Sequence, residues 1–359
     1  MIREALARLA RGEDLTQAEM IAAMTEVTGG ETTPAQIGAF LMALRVKGVT
    51  ADELAGAARV LRSVTPPIRA QQPLVSIDRD DINVDQETLA EFAAASGAGT
   101  ATFNVSTATA FAVAACGVRV VKHGLRAVAP LCGSADVLGA LGVEPDLPPT
   151  AVEDCIASVG VGFFYEPIFH SSVKHVVGPR RELGLRTLFN LLGPLANPAG
   201  ARHHFLGVRS REPARTLAKA LRELDTERAL VVNGDDGMDE VTVCGATHVV
   251  ELRDGEVREY EVTPGDLGLG EADPEALKGG DAQENAAIVR AVLAGEKGPR
   301  RDVVLANAAA ALYAADAVPD LRSGVERARQ ALDSGDALGK LEALAERSRR
   351  LGNGWYREA

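Results

Sequence analysis

Short apolar runs of strand length recur after residue 67, several of them separated by segments of helical period. They are LVSID (74–78), GVRVVK (117–122), VGFFY (161–165), HFLGV (204–208) and ALVVN (229–233). Runs this short cannot stand alone as helices, and spaced helical segments leave room for crossovers, so the pattern predicts a largely parallel sheet covered by helices. Residues 247–262 add a hairpin turning at Asp254-Gly255, and from residue 282 onward the period is helical again. The opening seventy residues differ. Thr16-x-x-Glu19, Thr33-Pro34-x-Gln36 and Thr50-x-x-Glu53 are successive capping boxes, each ahead of an apolar-periodic segment. The expected fold class is α/β, with a small discontinuous helical domain and a larger domain built on a mainly parallel sheet. Residues 169–198 read as helices crossing between the two units. The helical domain is therefore drawn as 1–70, completed by about 170–195, and the α/β domain as 71–169 and 196–359.

Charge and composition remove several classes. The chain of 359 residues carries a formal net charge of −12, which disfavours a nucleic-acid partner, since nonspecific binding depends on neutralising phosphates. A small phosphorylated ligand remains open, because local groups decide that. Aromatic residues make up only 4%, so an aromatic-lined groove is not expected. The four cysteines, Cys116, Cys132, Cys155 and Cys244, have no zinc spacing, and no run of about 18 apolar residues suggests a membrane span. The expected place of work is the cytoplasm.

The chemistry concentrates in a few strings. Lys122-His123-Gly124-x-Arg126 ends a strand and leads to a helix start at Gly133-Ser134-Ala135-Asp136. A basic turn beside a helix N-terminus gathers positive charge and free N–H groups around an anion. Upstream, Asn104, Ser106 and Thr107 stand at the entry to an apolar helix, where they would either cap the helix or cradle a phosphate. Downstream, DDGMDE carries Asp235, Asp236, Asp239 and Glu240 on a loop after a strand. Such carboxylates are hard oxygen ligands for Mg²⁺, or else a solvated acidic turn. Arg180, Arg181 and Arg186 could grip a carboxylate or pair with Glu182. His170, His175, His203 and His204 show no metal spacing.

Taken in order, the strings TFNVSTATAF, GVRVVKHG, GSADVLGALGV, RRELGLRTLFNLLGPLANPAG and GDDGMDEVTV resemble the anthranilate phosphoribosyltransferase family, from about residue 3 to residue 350. The resemblance implies a nucleoside phosphorylase/phosphoribosyltransferase-like fold with its site between the domains. It implies transfer of ribose 5-phosphate from phosphoribosyl pyrophosphate (PRPP) to the amine of anthranilate, with Mg²⁺ as cofactor and a homodimer as the assembly. By motif position Asn104, Ser106, Thr107 and Lys122 would contact the donor phosphates. Asp239 and Glu240 would hold Mg²⁺. His123, His170 and Arg180 would face the acceptor, with Arg180 closest to its carboxylate. Lys122 and His123 are the catalytic candidates, Lys122 serving the leaving phosphates and His123 standing first as a base.

The chain departs from the family at its donor loop. The family's GTGGDG string is missing; only Gly97 and Gly99 remain near its place, and an acidic insertion spans 78–95. Asp78, Asp80, Asp81, Asp85, Glu87 and Glu91 would repel a pyrophosphate unless a metal intervened. Leu125 replaces an asparagine, and Ala129-Pro130-Leu131-Cys132 replaces a serine-rich turn. Weak PRPP affinity is the expectation. Two alternatives stay open: a divergent glycosyltransferase with a different donor or acceptor, and a noncatalytic ligand-binding relative.

Overall fold

A computed structural model describes residues 1–70, 74–79, 102–124, 132–165 and 173–358, with side chains to residue 352. The helical N-terminus is α1 (Ile2–Leu9), α2 (Gln17–Gly29), α3 (Pro34–Lys47) and α4 (Ala51–Val64). Each of the three expected capping boxes closes, starting α2, α3 and α4 at Thr16, Thr33 and Thr50. Glu53 does more than cap. It is fully buried and takes hydrogen bonds from the backbone N–H of Thr50 (2.8 Å) and Leu15 (2.9 Å) and from Lys47 Nζ (3.0 Å). One carboxylate thus binds the α1–α2 link, the end of α3 and the start of α4 together.

The sheet has seven strands in the order β3-β2-β1-β4-β5-β6-β7. They are β1 (Leu74–Arg79), β2 (Arg119–Gly124), β3 (Val161–Tyr165), β4 (His203–Gly207), β5 (Arg228–Gly234), β6 (Thr247–Arg253) and β7 (Glu256–Val262). β1 to β5 run parallel, while β6 and β7 form the antiparallel hairpin. The chain moves outward from β1 through β2 to β3, then returns to place β4 on the other side of β1. The order reverses between β1 and β4, and open α/β sheets bind ligands at the carboxyl ends of strands at such a point.

The intervening helices are α5 (Val105–Ala115), α6 (Ser134–Ala140), α7 (Pro149–Ser158), α8 (Lys174–Leu183), α9 (Phe189–Leu195) and α10 (Ala214–Glu223). α11 (Ala282–Leu293), α12 (Pro299–Ala314), α13 (Leu321–Asp333) and α14 (Asp336–Glu358) complete the chain. Two apolar cores result, and the strands divide between them by their period of two. Phe205, Leu230 and Val232 enter one core with α5 and α12; Leu206, Ala229 and Val231 enter the other with α10 and the N-terminal helices. α8 packs on α2 and α3, α9 on α4, and α10 lies between α4 and β5. Among the described residues no helix is long and apolar enough to cross a membrane.

His204 of β4 is buried, and its Nε2 donates to the Ala201 carbonyl at 2.9 Å, which fixes the ring's orientation. Burial, with the charge of Arg62, pushes its pKa down to about 4, against a smaller pull from Asp78. The folded value lies below the unfolded one, so an acidified unfolded chain takes up a proton that the native ring refuses. Stability is then lost as pH falls from about 6.5 towards 4, by roughly 2 kcal/mol at pH 5. His204→Gln keeps a donor for Ala201 and should flatten that limb in urea titrations run between pH 4 and 7. Glu53→Ala takes the acceptor from the Leu15 and Thr50 amides and leaves Lys47 with Asp14 as its remaining carboxylate; it should lower the unfolding free energy by about 2 kcal/mol at neutral pH, read from the urea midpoint.

Candidate active site

β1 and β2 pair only from Leu74↔Arg119 to Ser76↔Val121, whereas β1 follows β4 all the way to Arg79↔Gly207. The first two strands splay at their carboxyl ends. Carried on, their register would set Asp78 opposite His123. The Asp78 carboxylate bridges this gap: Oδ1 accepts from the His123 backbone N–H at 2.9 Å and lies 3.2 Å from Nδ1, while the Ser76 hydroxyl donates to Oδ2. Burial alone would raise this carboxyl, but the imidazole of His123 and the hydrogen bonds from His123 and Ser76 outweigh it and hold it at about 2. The expectation that Asp78 joins a surface that repels pyrophosphate is thereby corrected. Asp78 is 3% exposed and belongs to an interior strand, its charge spent on His123.

His123 is 1% exposed and stands edge-on to Phe164, with ring centroids 5.1 Å apart. Lys122, one residue before it on β2, is also buried. Their alternation on the strand points the two side chains to opposite faces.

The DDGMDE loop divides into two functions. Asp235 pairs with Arg211 at the surface, and Asp236 accepts from the Met238 amide (3.1 Å) and the Thr242 hydroxyl (2.6 Å), building the turn itself. Asp239 and Glu240 turn inward and are 6% and 2% exposed, which rules out the solvated acidic turn for this pair. Their inward course depends on Gly207 at the end of β4. A Cβ there would lie 1.6 Å from the Asp239 carbonyl oxygen, so only glycine lets the loop pass.

Arg79, the last residue of β1, reaches this pair. Its Nε and Nη2 each lie 2.7 Å from an Asp239 oxygen, and its Nη1 lies 4.0 Å from Glu240 Oε1. Arg209 Nε stands 3.9 Å from Asp239 Oδ2. Glu240 Oε1 also accepts from the backbone N–H of Ser106 in the first turn of α5, at 3.1 Å. The helix N-terminus expected to hold an anion thus holds a carboxylate of the chain. Burial pushes the Glu240 carboxyl above the usual carboxylate range, countered by Arg79, raised further by Asp239, and lowered by Lys122 and the Ser106 amide. Glu240 Oε2 is buried without a hydrogen-bond partner among the described residues, as is the Thr107 hydroxyl.

Asn104 precedes α5 but makes no capping bond. Its Oδ1 accepts from Asn285 Nδ2 at 3.1 Å, and its Nδ2 donates to the Cys132 carbonyl at 3.4 Å. Asn285 is held in turn by Gly280 through both its amide groups. Capping therefore does not explain Asn104; its amide is oriented from α11 instead.

Arg180 belongs to a different cluster. It is 2% exposed at the end of α8, its guanidinium 5.4 Å from the Phe189 ring centroid and its Nη2 3.4 Å from Asn190 Oδ1. Ion pairing with Glu182 is not needed to account for it. Gly97, Gly99, His170, Leu125, residues 129–131 and the acidic stretch after Arg79 lie outside the described residues. Among the described residues, no three or more His, Cys, Asp or Glu side chains form a metal cluster. A magnesium ion that draws its remaining ligands from phosphates and water needs only one or two carboxylates.

Sequence reasoning missed Arg79, Arg209 and Asn285, and misread Asp78. The available signal was positional: Arg79 and Arg209 each follow an apolar run at a strand's carboxyl end, on the two strands that flank the reversal.

The chain as a whole is similar to known proteins. A model described as the glycosyl transferase family a/b domain matches residues 87–338, and one described as that family's helical bundle domain matches residues 3–64. The anthranilate phosphoribosyltransferase of Trichlorobacter lovleyi is 50% identical over 345 residues, covering 96% of this chain and 99% of that protein. That of Geobacter sulfurreducens is 51% identical over 345 residues, covering 96% and 98%. The crystal structure of the Thermus thermophilus enzyme superposes with a TM-score of 0.86 at 41% identity, covering 96% of this chain and 99% of that one. The Saccharomyces cerevisiae enzyme in complex with PRPP and Mg gives 0.82 at 25% identity, covering 98% of both chains. Half-identity along nearly the whole length, in sequence and domain order alike, leaves one conclusion: the chain belongs to the anthranilate phosphoribosyltransferase family.

Proposed function

We propose that this protein transfers the 5-phosphoribosyl group of PRPP to the amine of anthranilate with release of pyrophosphate. The observation that carries this reading is the buried Asp239–Glu240 pair beside Lys122 and the N-terminus of α5, at the point where the strand order reverses. Family membership points to the substrates: the Trichlorobacter lovleyi relative covers 96% of this chain, and the yeast enzyme has been captured with PRPP and Mg and with 4-fluoroanthranilate.

The residues fit a magnesium ion. Asp239 and Glu240 offer hard carboxylate oxygens, Glu240 Oε2 has no partner among the described residues, and an arginine already stands beside the pair as a positive charge. Bound there, Mg²⁺ would neutralise charge on the departing diphosphate. Lys122, buried on the central sheet and close enough to act on Glu240, adds a fixed positive charge for the phosphates. The Ser106 and Thr107 region of α5 supplies N–H and hydroxyl donors, and Asn104 is oriented toward it by Asn285. An aromatic amine needs little activation as a nucleophile. His123, with Asp78 at its Nδ1 edge, serves chiefly to shape and polarise the acceptor side. Arg180 would orient the acceptor carboxylate, a contribution of positioning rather than proton transfer. Gly97 and Gly99 would take part in substrate binding, and His170 would face the acceptor.

In this reading the helical domain is 1–70 completed by about 170–195, in keeping with α8 and α9 packing on α2, α3 and α4. The remainder, 71–169 and 196–359, forms the α/β domain. A homodimer formed through the helical domain is part of the proposal; Val46 on α3, 81% exposed, offers it an apolar contact. Four cysteines held as thiols suit the cytoplasm as its place of work.

The test is consumption of anthranilate, followed by its fluorescence, with PRPP and Mg²⁺. Magnesium-dependent turnover is the expected result; a folded protein that consumes no anthranilate overturns the reading. Lys122→Ala and Asp239→Ala should each lower kcat/KM at least 100-fold with the circular dichroism spectrum unchanged. Full activity in both would remove the site assignment.

A further inference from the structure

Arg79 lies directly against the Asp239–Glu240 pair. Its guanidinium meets Asp239 by a two-point grip, 2.7 Å at each contact, and lies 4.0 Å from Glu240. These are the same oxygens assigned to the divalent ion. Two carboxyl groups this deeply buried cannot both stay ionised side by side without a counter-charge. In the metal-free chain the charge in direct contact is the guanidinium, with Arg209 and Lys122 farther off. A divalent ion drawn to the same oxygens meets a like charge a few ångströms away.

We propose that Arg79 is the resident counter-ion of the Asp239–Glu240 pair and sets its affinity for the divalent ion by competing for the same carboxylates. The inference rests on the reading of Asp239 and Glu240 as metal ligands. Three further observations carry it. Glu240 Oε2 is buried and has no hydrogen-bond partner among the described residues, so the arginine satisfies the pair only in part. Arg79 ends its strand and its side chain is 22% exposed, against 8% for Asp239, so the long side chain has a way out toward solvent. Arg209, two residues past the end of β4, stands 3.9 Å from Asp239, so the carboxylate keeps one positive neighbour when Arg79 leaves. An arginine turned out from the pair at the strand ends would face the diphosphate of the incoming donor. Metal entry and donor entry are thereby linked through one side chain, and the empty site stays electrically balanced without metal.

The experiment is Mn²⁺ binding to the full-length protein without donor or acceptor, measured by electron paramagnetic resonance and calorimetry. Arg79→Gln and Arg79→Ala should each bind Mn²⁺ at least tenfold more tightly than the unaltered chain. Both should also melt at lower temperature without metal and gain more from added Mn²⁺. Arg79→Lys keeps the charge and should stay within about threefold of the unaltered chain, which separates charge competition from a loosened loop. Unchanged or weaker Mn²⁺ affinity in cooperatively melting Arg79→Gln and Arg79→Ala overturns the proposal. Asp239→Asn in the Arg79→Gln background distinguishes the two layers. Loss of the tightened binding supports both, whereas retention of it shows that the metal sits elsewhere and sinks the ligand assignment itself.

Discussion

Buried negative charge at the carboxyl ends of the strands is the constraint around which the rest of this molecule is arranged. Asp78, Asp239 and Glu240 are all under 10% exposed, and a carboxylate removed from water is costly unless charge and hydrogen bonds replace the water. Each has its own solution. Asp78 draws on a backbone amide, an imidazole and a hydroxyl of its own sheet. Asp239 draws on an arginine at the end of the neighbouring strand. Glu240 draws on the first turn of a helix. A fold that only needed stability would place apolar side chains here, as it does at Phe205 and Leu206 of β4 and from Ala229 to Val232 of β5.

That apolar remainder is what makes the arrangement rigid. β4 and β5 feed one core with one set of side chains and the other core with the alternate set, so neither strand can slip without emptying both. α10 wedges between the sheet and α4, which ties the N-terminal helices to the same framework. The carboxylates therefore sit on a frame whose positions are determined from both sides.

Much of this was legible in the primary structure, and the limits of legibility have physical causes. The capping boxes at Thr16, Thr33 and Thr50 are local, and local hydrogen bonds follow from spacing alone. The strand runs and the Asp254-Gly255 turn are likewise short-range signals, and the family strings carried the architecture. Burial separates the two halves of DDGMDE, and spacing cannot see burial: Asp235 and Asp239 look alike in the string yet end in solvent and in the interior. Asp78 was misread for the same reason. Within a run of acidic residues it looks like surface, and only the pairing of β1 with β2 and β4 brings it inside. Arg79 pairs across 160 positions with Asp239, and Asn285 across 181 with Asn104, separations that no local pattern encodes.

The splay between β1 and β2 has a consequence of its own. Where two parallel strands stay zipped, backbone groups consume one another and the sheet's rim is sealed. Here the ladder stops after Ser76↔Val121, and a side-chain carboxylate takes over the next amide. The opening is thus propped by an ionised group instead of being closed by the backbone. His123 and the hydrogen bonds around that group hold its carboxyl below the ordinary carboxylate range, so mild acid does not remove the prop. The seating of β1 against β2 at the rim thus rests on one acid side chain belonging to the sheet itself.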